Sequence, residues 1–210
     1  MAISDTFGSL PVLLQTVSGV VNMPVTPVSI GVSNHYQTIG KAWQKKQSEK
    51  RQYVNRVLSQ RYMFESIQDA FEFKNFFTAR QGAYDRFFVP TWLNSYQSSS
   101  TQASTTSLNV IIGNRDSFIS SNNIQYKNIL VLEDNLGSSR QYSRVTACTA
   151  ATGTVGNDVL TLNAAVSVKR DSIITPVLFC RFAVDEMTIE AVKGGMFSIE
   201  TSFVEVQGGQ

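Results

Sequence analysis

The spacing of apolar residues favours β-strands along most of the chain. Near the C-terminal end, apolar and polar residues alternate on both sides of Gly194-Gly195. Because successive side chains of a strand point to opposite faces, this alternation predicts two strands with one face in water, joined as a hairpin at the glycine pair. Residues 177–182 are almost continuously apolar and predict a buried strand. Residues 51–67 fit either period, but their enrichment in Tyr, Val, Met and Phe favours a strand.

One segment follows helical spacing instead. Residues 69–80 carry apolar side chains at the i, i+3, i+4, i+7 positions of an amphipathic helix. Ser66 or Asp69 can cap its N-terminus, and Gly82 is suited to the left-handed residue that ends many helices. Its phenylalanines predict a helix packed onto a sheet rather than an aromatic ligand site. They are Phe71, Phe73, Phe76 and Phe77.

The chain of 210 residues is long enough for one large domain or two small ones, and its composition changes sharply in the middle. Residues 94–107 are mostly Ser, Thr, Gln and Asn, and short β segments separated by turn residues follow them. The predicted fold class is mainly β. We expect a β-sandwich-like domain from 1–97 together with 176–210, with one packed helix, and an inserted small β-barrel-like module at 98–175. Residues 1–34, which hold three of the five prolines, could instead form an extended arm.

Composition excludes several classes of protein. The hydrophobic fraction of 42% is too high for a disordered chain, and the net charge of +2 provides no overall attraction to nucleic acid or acidic membranes. Apolar runs are too short to span a membrane, and the first apolar segment lacks a preceding basic region. We therefore expect neither a membrane anchor nor a signal peptide.

The net charge of the whole chain is near zero, but one segment has a local excess of positive charge. Residues 41–61 contain seven basic residues and a single acid, Glu49. Such a strip is either a solvated ribbon or a surface that faces an anionic partner, whether nucleic acid or an acidic protein. Six of its residues are candidate interaction residues: Lys41, Lys45, Lys46, Lys50, Arg51 and Arg56.

Groups capable of catalysis or metal binding are sparse. One histidine, His35, and two cysteines, Cys148 and Cys180, cannot supply a multi-histidine site, a four-cysteine zinc site or a disulfide framework. Asp185 and Glu186 are the best carboxylate pair, but neighbours in a strand point to opposite faces. We therefore predict no catalytic residues, no metal, no cofactor and no enzymatic activity.

An ordered set of short motifs points to a family. The motifs are Arg61-Tyr-Met-Phe64, Phe73-Lys-Asn-Phe-Phe-Thr-Ala-Arg-Gln-Gly82, Phe87-Phe-Val-Pro-Thr-Trp92, Leu178-Phe-Cys-Arg-Phe-Ala-Val-Asp-Glu-Met187 and Ser202-Phe-Val-Glu-Val206. This set resembles minor tail proteins of tailed bacteriophages, in which an Arg-Tyr strand precedes a helix ending in Ala-Arg-x-Gly. Those proteins continue with Phe-x-x-Pro-x-Trp and an inserted β module, and close with Cys-Arg-Phe/Leu-Ala-x-Asp-Glu and Phe-x-Glu. The resemblance covers residues 50–92 and 176–206.

The resemblance implies a structural virion protein, a distal tail or tail-tip adaptor that is assembled in the host cytoplasm. It implies a homo-oligomeric ring, expected to be a hexamer, that joins the tail tube to hub or fibre proteins. DNA would pass through this ring without specific binding, and the basic strip would face an acidic partner ring or the DNA channel.

Two other functions remain open from the residues themselves. The Ser/Thr/Asn-rich insert with Tyr96, Tyr126 and Tyr142 suggests a receptor- or carbohydrate-binding module of a virion. A hydrolase would have to use carboxylates, with Asp185 and Glu186 as its best candidates.

Overall fold

A computed structural model describes most of the chain as β-strands around one helix. The described residues are 5–17, 20–35, 38–39, 46–47, 53–92, 96–111, 119–120, 123–124, 128–133, 139–149 and 157–206. The elements in chain order are β1 (Asp5–Phe7), β2 (Leu10–Val12), β3 (Thr16–Val17), β4 (Val20–Val21), β5 (Val25–His35), β6 (Thr38–Ile39), β7 (Lys46–Gln47), β8 (Tyr53–Phe64), α1 (Ile67–Ala79), β9 (Phe87–Pro90), β10 (Gln102–Ile111), β11 (Ile119–Ser120), β12 (Asn123–Ile124), β13 (Asn128–Leu132), β14 (Arg140–Thr149), β15 (Asn157–Val168), β16 (Ile173–Phe182), β17 (Glu190–Val192) and β18 (Met196–Glu205). The predicted mainly-β class with a packed helix is confirmed.

Helix α1 is the element that the sequence predicts most directly. It begins two residues before the predicted start because Ser66, and not Asp69, is the cap: the Ser66 hydroxyl accepts a hydrogen bond from the backbone N–H of Gln68 at 3.1 Å. After Arg80 the chain leaves the helix through Gly82, whose φ of +59° lies in the left-handed region. The predicted apolar stripe is the buried face of the helix.

The helix covers one face of a sheet, and together they form what we call the terminal unit: β5, β8, α1, β9, β17, β18 and the second half of β16. In this sheet β8 pairs antiparallel with both β5 and β18, and β18 pairs with β17 and β16. The predicted hairpin at Gly194-Gly195 is the β17–β18 pair. The core is rich in aromatic rings; its phenylalanines are Phe64, Phe73, Phe76, Phe77, Phe87, Phe182 and Phe203.

The inserted segment forms what we call the barrel module: β10, β13, β14, β15 and the first half of β16. These strands pair in the order β16-β13-β14-β15-β10. The ring of pairings is closed by the short segment before β10, in which Tyr96 bridges to Ile174 of β16 and Ser98 bridges to Val110 of β10. Aliphatic side chains fill the interior, which agrees with the predicted barrel-like module.

Strand β16 belongs to both units. Near its start, Ile174 pairs with Val131 on one edge and bridges to Tyr96 on the other. Near its end, Cys180 pairs with Phe87 and with Glu205. The strand therefore runs without interruption through the boundary predicted at 175/176, and the division into two domains stays a prediction.

The described part of the N-terminal segment is folded against its own chain and does not extend away as an arm. Val12, Leu13 and Leu14 are at most 1% exposed, and β2 lies parallel to β9. The β1–β2 hairpin also reaches the barrel module, since the Tyr142 hydroxyl donates to Asp5 Oδ2 at 2.9 Å. The alternative of an arm therefore fails for the described part of residues 1–34, because these apolar side chains complete a third core cluster between the two units. Its buried members are Val12, Leu14, Val21, Phe88, Leu130, Leu132 and Val177.

Candidate interaction surfaces

The described residues of the basic strip lie on β7 and β8, and β8 forms an antiparallel pair with β5. The two strands pair as far as His35 with Tyr53, and the shorter strands β6 and β7 pair Ile39 with Lys46. The pairing of β8 with β18 ends at Val57, so among the described residues the outer part of the β5–β8 pair has two strands only. The side chains of five predicted interaction residues lie outside the described part of the chain. They are Lys41, Lys45, Lys46, Lys50 and Arg51, and their role stays a prediction.

Arg56 is placed differently from the prediction. It is 9% exposed, and its guanidinium donates to both carboxylate oxygens of Glu205 at 3.0 Å. Burial raises the pKa of the Glu205 carboxyl, while the Arg56 charge and hydrogen bonds oppose that rise. Arg56 therefore joins β8 to β18 inside the fold and is not available to an outside partner. The sequence pattern could not reveal this, because the two residues are 149 positions apart.

Cys180 is adjacent to this ion pair and is not a nucleophile candidate. The thiol is buried, and burial together with the charge of Glu205 raises its pKa well above the usual range. It therefore stays protonated at neutral pH. Cys180 is therefore a small core residue.

Asp185 belongs to a structural joint between two of the motifs. Its Oδ1 accepts a hydrogen bond from the backbone N–H of Ala83 at 3.3 Å, and Arg181 donates to the Ala83 carbonyl at 3.0 Å. The chain passes close by at Gly82, where an added Cβ would lie 3.3 Å from the ring of Phe77 and 3.4 Å from Asp185 Oδ1. Glycine fits here for its conformation and for its size. Asp185 thus holds the loop after α1.

An open groove lies beside the outer face of α1. Its volume is about 480 Å³, and its wall across from the helix is formed by the segment before β17 and by the start of β18. Phe71 is 50% exposed and Ile67 is 41% exposed, both on the helix side. The main lining residues are Ile67, Phe71, Lys74, Met187, Ile189 and Phe197. Phe71 was expected to pack onto the sheet with the other phenylalanines of α1. Its position outside the buried stripe of the helix is the sequence feature that indicates its exposure.

Two further exposed apolar side chains lie in loops near the C-terminal end of α1. Tyr84 is 78% exposed and Val184 is 41% exposed. They sit in the two loops that Asp185 and Arg181 tie together at Ala83. Nothing in the local sequence pattern marks either residue as exposed, because the joint that presents them is a long-range contact.

The described residues contain no group of three or more His, Cys, Asp or Glu side chains that could hold a metal ion. Within the same residues, no helix is long and apolar enough to cross a membrane.

No protein-family model and no curated protein matches this chain. The functional assignment therefore rests on the motifs and on the way the fold arranges them.

Proposed function

We propose that this chain is a structural protein of a bacteriophage tail, a distal tail or tail-tip component. In this proposal, identical copies form a ring that joins the tail tube to hub or fibre proteins, and the protein has no enzymatic activity. The expected ring is a homo-hexamer through which DNA passes without specific binding.

The observation that carries the proposal is the spatial arrangement of the motifs. The loop after α1 is hydrogen-bonded to Arg181 and Asp185, almost a hundred positions later in the chain. The Phe87–Trp92 motif supplies β9, which pairs with the Leu178–Met187 motif in β16. The last motif pairs with the same strand from its other edge, through Phe203 with Phe182. Motifs that are scattered in sequence therefore form one contiguous structure, as expected if they define a single family unit.

The use of the polar groups supports a structural role. Glu205 is paired with Arg56, the Cys180 thiol is buried, and Asp185 holds a loop. These three groups thus act within the fold. The terminal unit also has an open edge, since β5 pairs with β8 alone among the described strands. Open edges are suited to contacts between subunits.

The alternative of a receptor- or carbohydrate-binding module has less support. Of the tyrosines that suggest it, Tyr96 is 4% exposed inside the barrel module, and the Tyr142 hydroxyl is bonded to Asp5. Tyr126 lies outside the described residues. Exposed aromatic rings, which sugars stack against, are therefore lacking at the two positions that can be judged.

Electron microscopy of the purified protein, together with mass spectrometry of purified phage particles, tests the proposal. We expect closed rings with a central opening and peptides of this chain in tail fractions. A protein that stays monomeric and is missing from particles would contradict it. Binding of the isolated chain to host-cell glycans without incorporation into tails would favour the alternative.

A further inference from the structure

Strand β5 leaves a long edge of the sheet open. Its 11 residues pair with β8 on one side, and no other described strand pairs with it. The outer strands β1 and β17 of the same sheet have three residues each and carry an acid, Asp5 or Glu190. Residues 25–35 contain no Asp, Glu, Lys or Arg. Short length and charge usually protect a sheet edge from pairing with another chain, and β5 has neither.

The hydrogen bonds of β18 fix the direction of the backbone groups in the neighbouring strands. The Ser202 carbonyl of β18 accepts a bond from the N–H of Ala183, and the Val206 N–H donates to the Phe179 carbonyl. Even-numbered residues of this part of β18 therefore bond on the β16 side. Successive residues of a strand turn their N–H and C=O groups to opposite sides. Odd-numbered residues of β18 therefore bond to β8, which lies on its other side.

The same alternation extends across β8 to β5. Phe203 of β18 lies opposite Leu58, so even-numbered residues of β8 bond to β18 and odd-numbered ones bond to β5. The odd-numbered residue Ser59 lies opposite Ser29, and the register is regular from there to His35. Odd-numbered residues in this part of β5 therefore bond to β8. The even-numbered ones turn their N–H and C=O groups to the open edge: Ile30, Val32 and Asn34.

We propose that β5 of one copy of this chain pairs antiparallel with β5 of a second copy, with the two Val32 residues opposite each other at a two-fold axis. In this register, Ile30 of one copy lies opposite Asn34 of the other. Each opposed pair is a hydrogen-bonded pair, so every outward N–H and C=O group of these residues finds a partner. The sheets of the two copies then continue as one sheet across the axis.

A second β5 is the occupant that the edge itself favours. The outward groups are placed symmetrically about Val32, so an identical strand running in the opposite direction matches all of them. The outer strands β1 and β17, with three residues each, are too short to do so. The absence of Asp, Glu, Lys and Arg from residues 25–35 also means that pairing brings no like charges together.

This contact goes beyond the ring of the proposed function. A two-fold contact uses the same surface on both copies and joins them in pairs. A ring in which each copy is rotated onto the next needs two different surfaces on every copy. The β5 contact therefore links two chains, or two rings face to face, and does not depend on the ring contact.

Cysteine cross-linking tests the register. Opposed Cα atoms of a hydrogen-bonded antiparallel pair lie about 5.5 Å apart, within the range of a disulfide. With the partly exposed Cys148 changed to Ser, Val32→Cys should give a disulfide-linked dimer on mild oxidation. Asn34→Cys alone should not, because its two copies lie about 14 Å apart along the strands. A mixture of Ile30→Cys and Asn34→Cys chains should cross-link again. Non-reducing gel electrophoresis measures all three.

A proline substitution provides a second, independent measurement. Val32→Pro removes an N–H that faces away from β8, so the sheet within the chain keeps its hydrogen bonds. Sedimentation velocity should show that it weakens dimer formation about 30-fold, because each copy loses one hydrogen bond. Val32→Thr keeps the N–H and the branched side chain and should associate like the wild type. Circular dichroism checks that both variants are folded.

Three results would overturn the inference. They are a Val32→Cys chain that does not cross-link, a folded Val32→Pro chain that associates like the wild type, and a wild-type chain that is monomeric at its highest soluble concentration. Pairing of β5 with a different strand of the second copy gives the first result. Presence in phage particles is measured separately, so a chain that is monomeric in solution but present in tails contradicts this contact and leaves the proposed function standing.

Discussion

The terminal unit and the barrel module each bury an apolar core, but the two cores are built from different side chains. The core of the terminal unit contains seven phenylalanines, whereas the described core of the barrel module contains none and is mainly Val, Leu and Ile. An open sheet has a wide face that a helix must cover, and large rings span the space between them. A small closed barrel has a narrow interior that aliphatic side chains fill. Topology, more than hydrophobicity alone, explains which apolar residues each core uses.

The two cores are nevertheless linked through one strand. The first half of β16 contributes Ile174 to the barrel core, and the second half contributes Leu178, Cys180 and Phe182 to the terminal core. If β16 detaches from one core, it also leaves the other core exposed to solvent. We therefore expect the two units to unfold together although their interiors have different compositions.

The largest expected effect comes from Phe182→Ala in the terminal unit. Phe182 is fully buried, and its ring centroid lies 4.8 Å from those of Phe77 and Phe87. Removing the ring should lower the free energy of unfolding by about 3–5 kcal/mol, measured by urea denaturation. Leu160→Ala is the matched change in the barrel module and should cost about 2–5 kcal/mol. Both variants should show one transition by fluorescence and circular dichroism; an early separate transition in Leu160→Ala would mean that the barrel module unfolds alone.

A smaller effect is expected from Arg56→Met, which leaves Glu205 buried without its partner. The loss of stability at neutral pH should be about 3 kcal/mol. Burial raises the pKa of Glu205 from its ordinary value of 4.5, and losing Arg56 raises it further. A folded-state pKa above the unfolded one means that the folded protein binds the proton more tightly. Its contribution to stability is full below pH 4.5 and is lost as pH rises through the folded pKa.

The Arg56→Met variant should therefore become more stable on acidification from neutral pH to about pH 5. The Arg56→Met/Glu205→Gln double variant is the control and should lack this dependence, because it has no carboxyl to titrate. Thermal melts across this pH range measure the difference. An equal pH response in both variants would show that another group is responsible.

The smallest expected effect concerns the contact between the N-terminal hairpin and the barrel module. Burial and the nearby Asp5 charge raise the pKa of Tyr142, so its hydroxyl remains a hydrogen-bond donor. Tyr142→Phe should cost about 1.5 kcal/mol, as for a hydrogen bond to a charged group. A double-mutant cycle with Asp5→Ala isolates the pair. Additive effects in that cycle would show that the stacking of Phe7 on Tyr142, at 5.5 Å between centroids, holds the hairpin instead.

Features that depend on neighbouring residues could be predicted from the sequence, and features that depend on distant partners could not. Helix α1 and the β17–β18 hairpin were predicted closely because their spacing, caps and glycines lie within each element. The strand at β8 was ambiguous in period, and residue type decided it correctly. The prediction that Arg56 is an interaction residue was wrong, because its partner Glu205 lies near the other end of the sequence. Whether residues 12–14 join the domain or an extended arm stayed open, because prolines argue against a helix but do not say what a strand packs against.

By itself, the sequence determined the mainly-β class, the helix with its buried stripe and the C-terminal hairpin, since side-chain periodicity decides these locally. It also carried the motifs on which the functional proposal rests. Only the tertiary structure decided that β16 serves two cores, that Arg56 neutralises Glu205 inside the fold, and that Phe71 and Tyr84 are exposed. These features depend on which distant strands and loops meet, and hydrophobic spacing is the same for many such pairings.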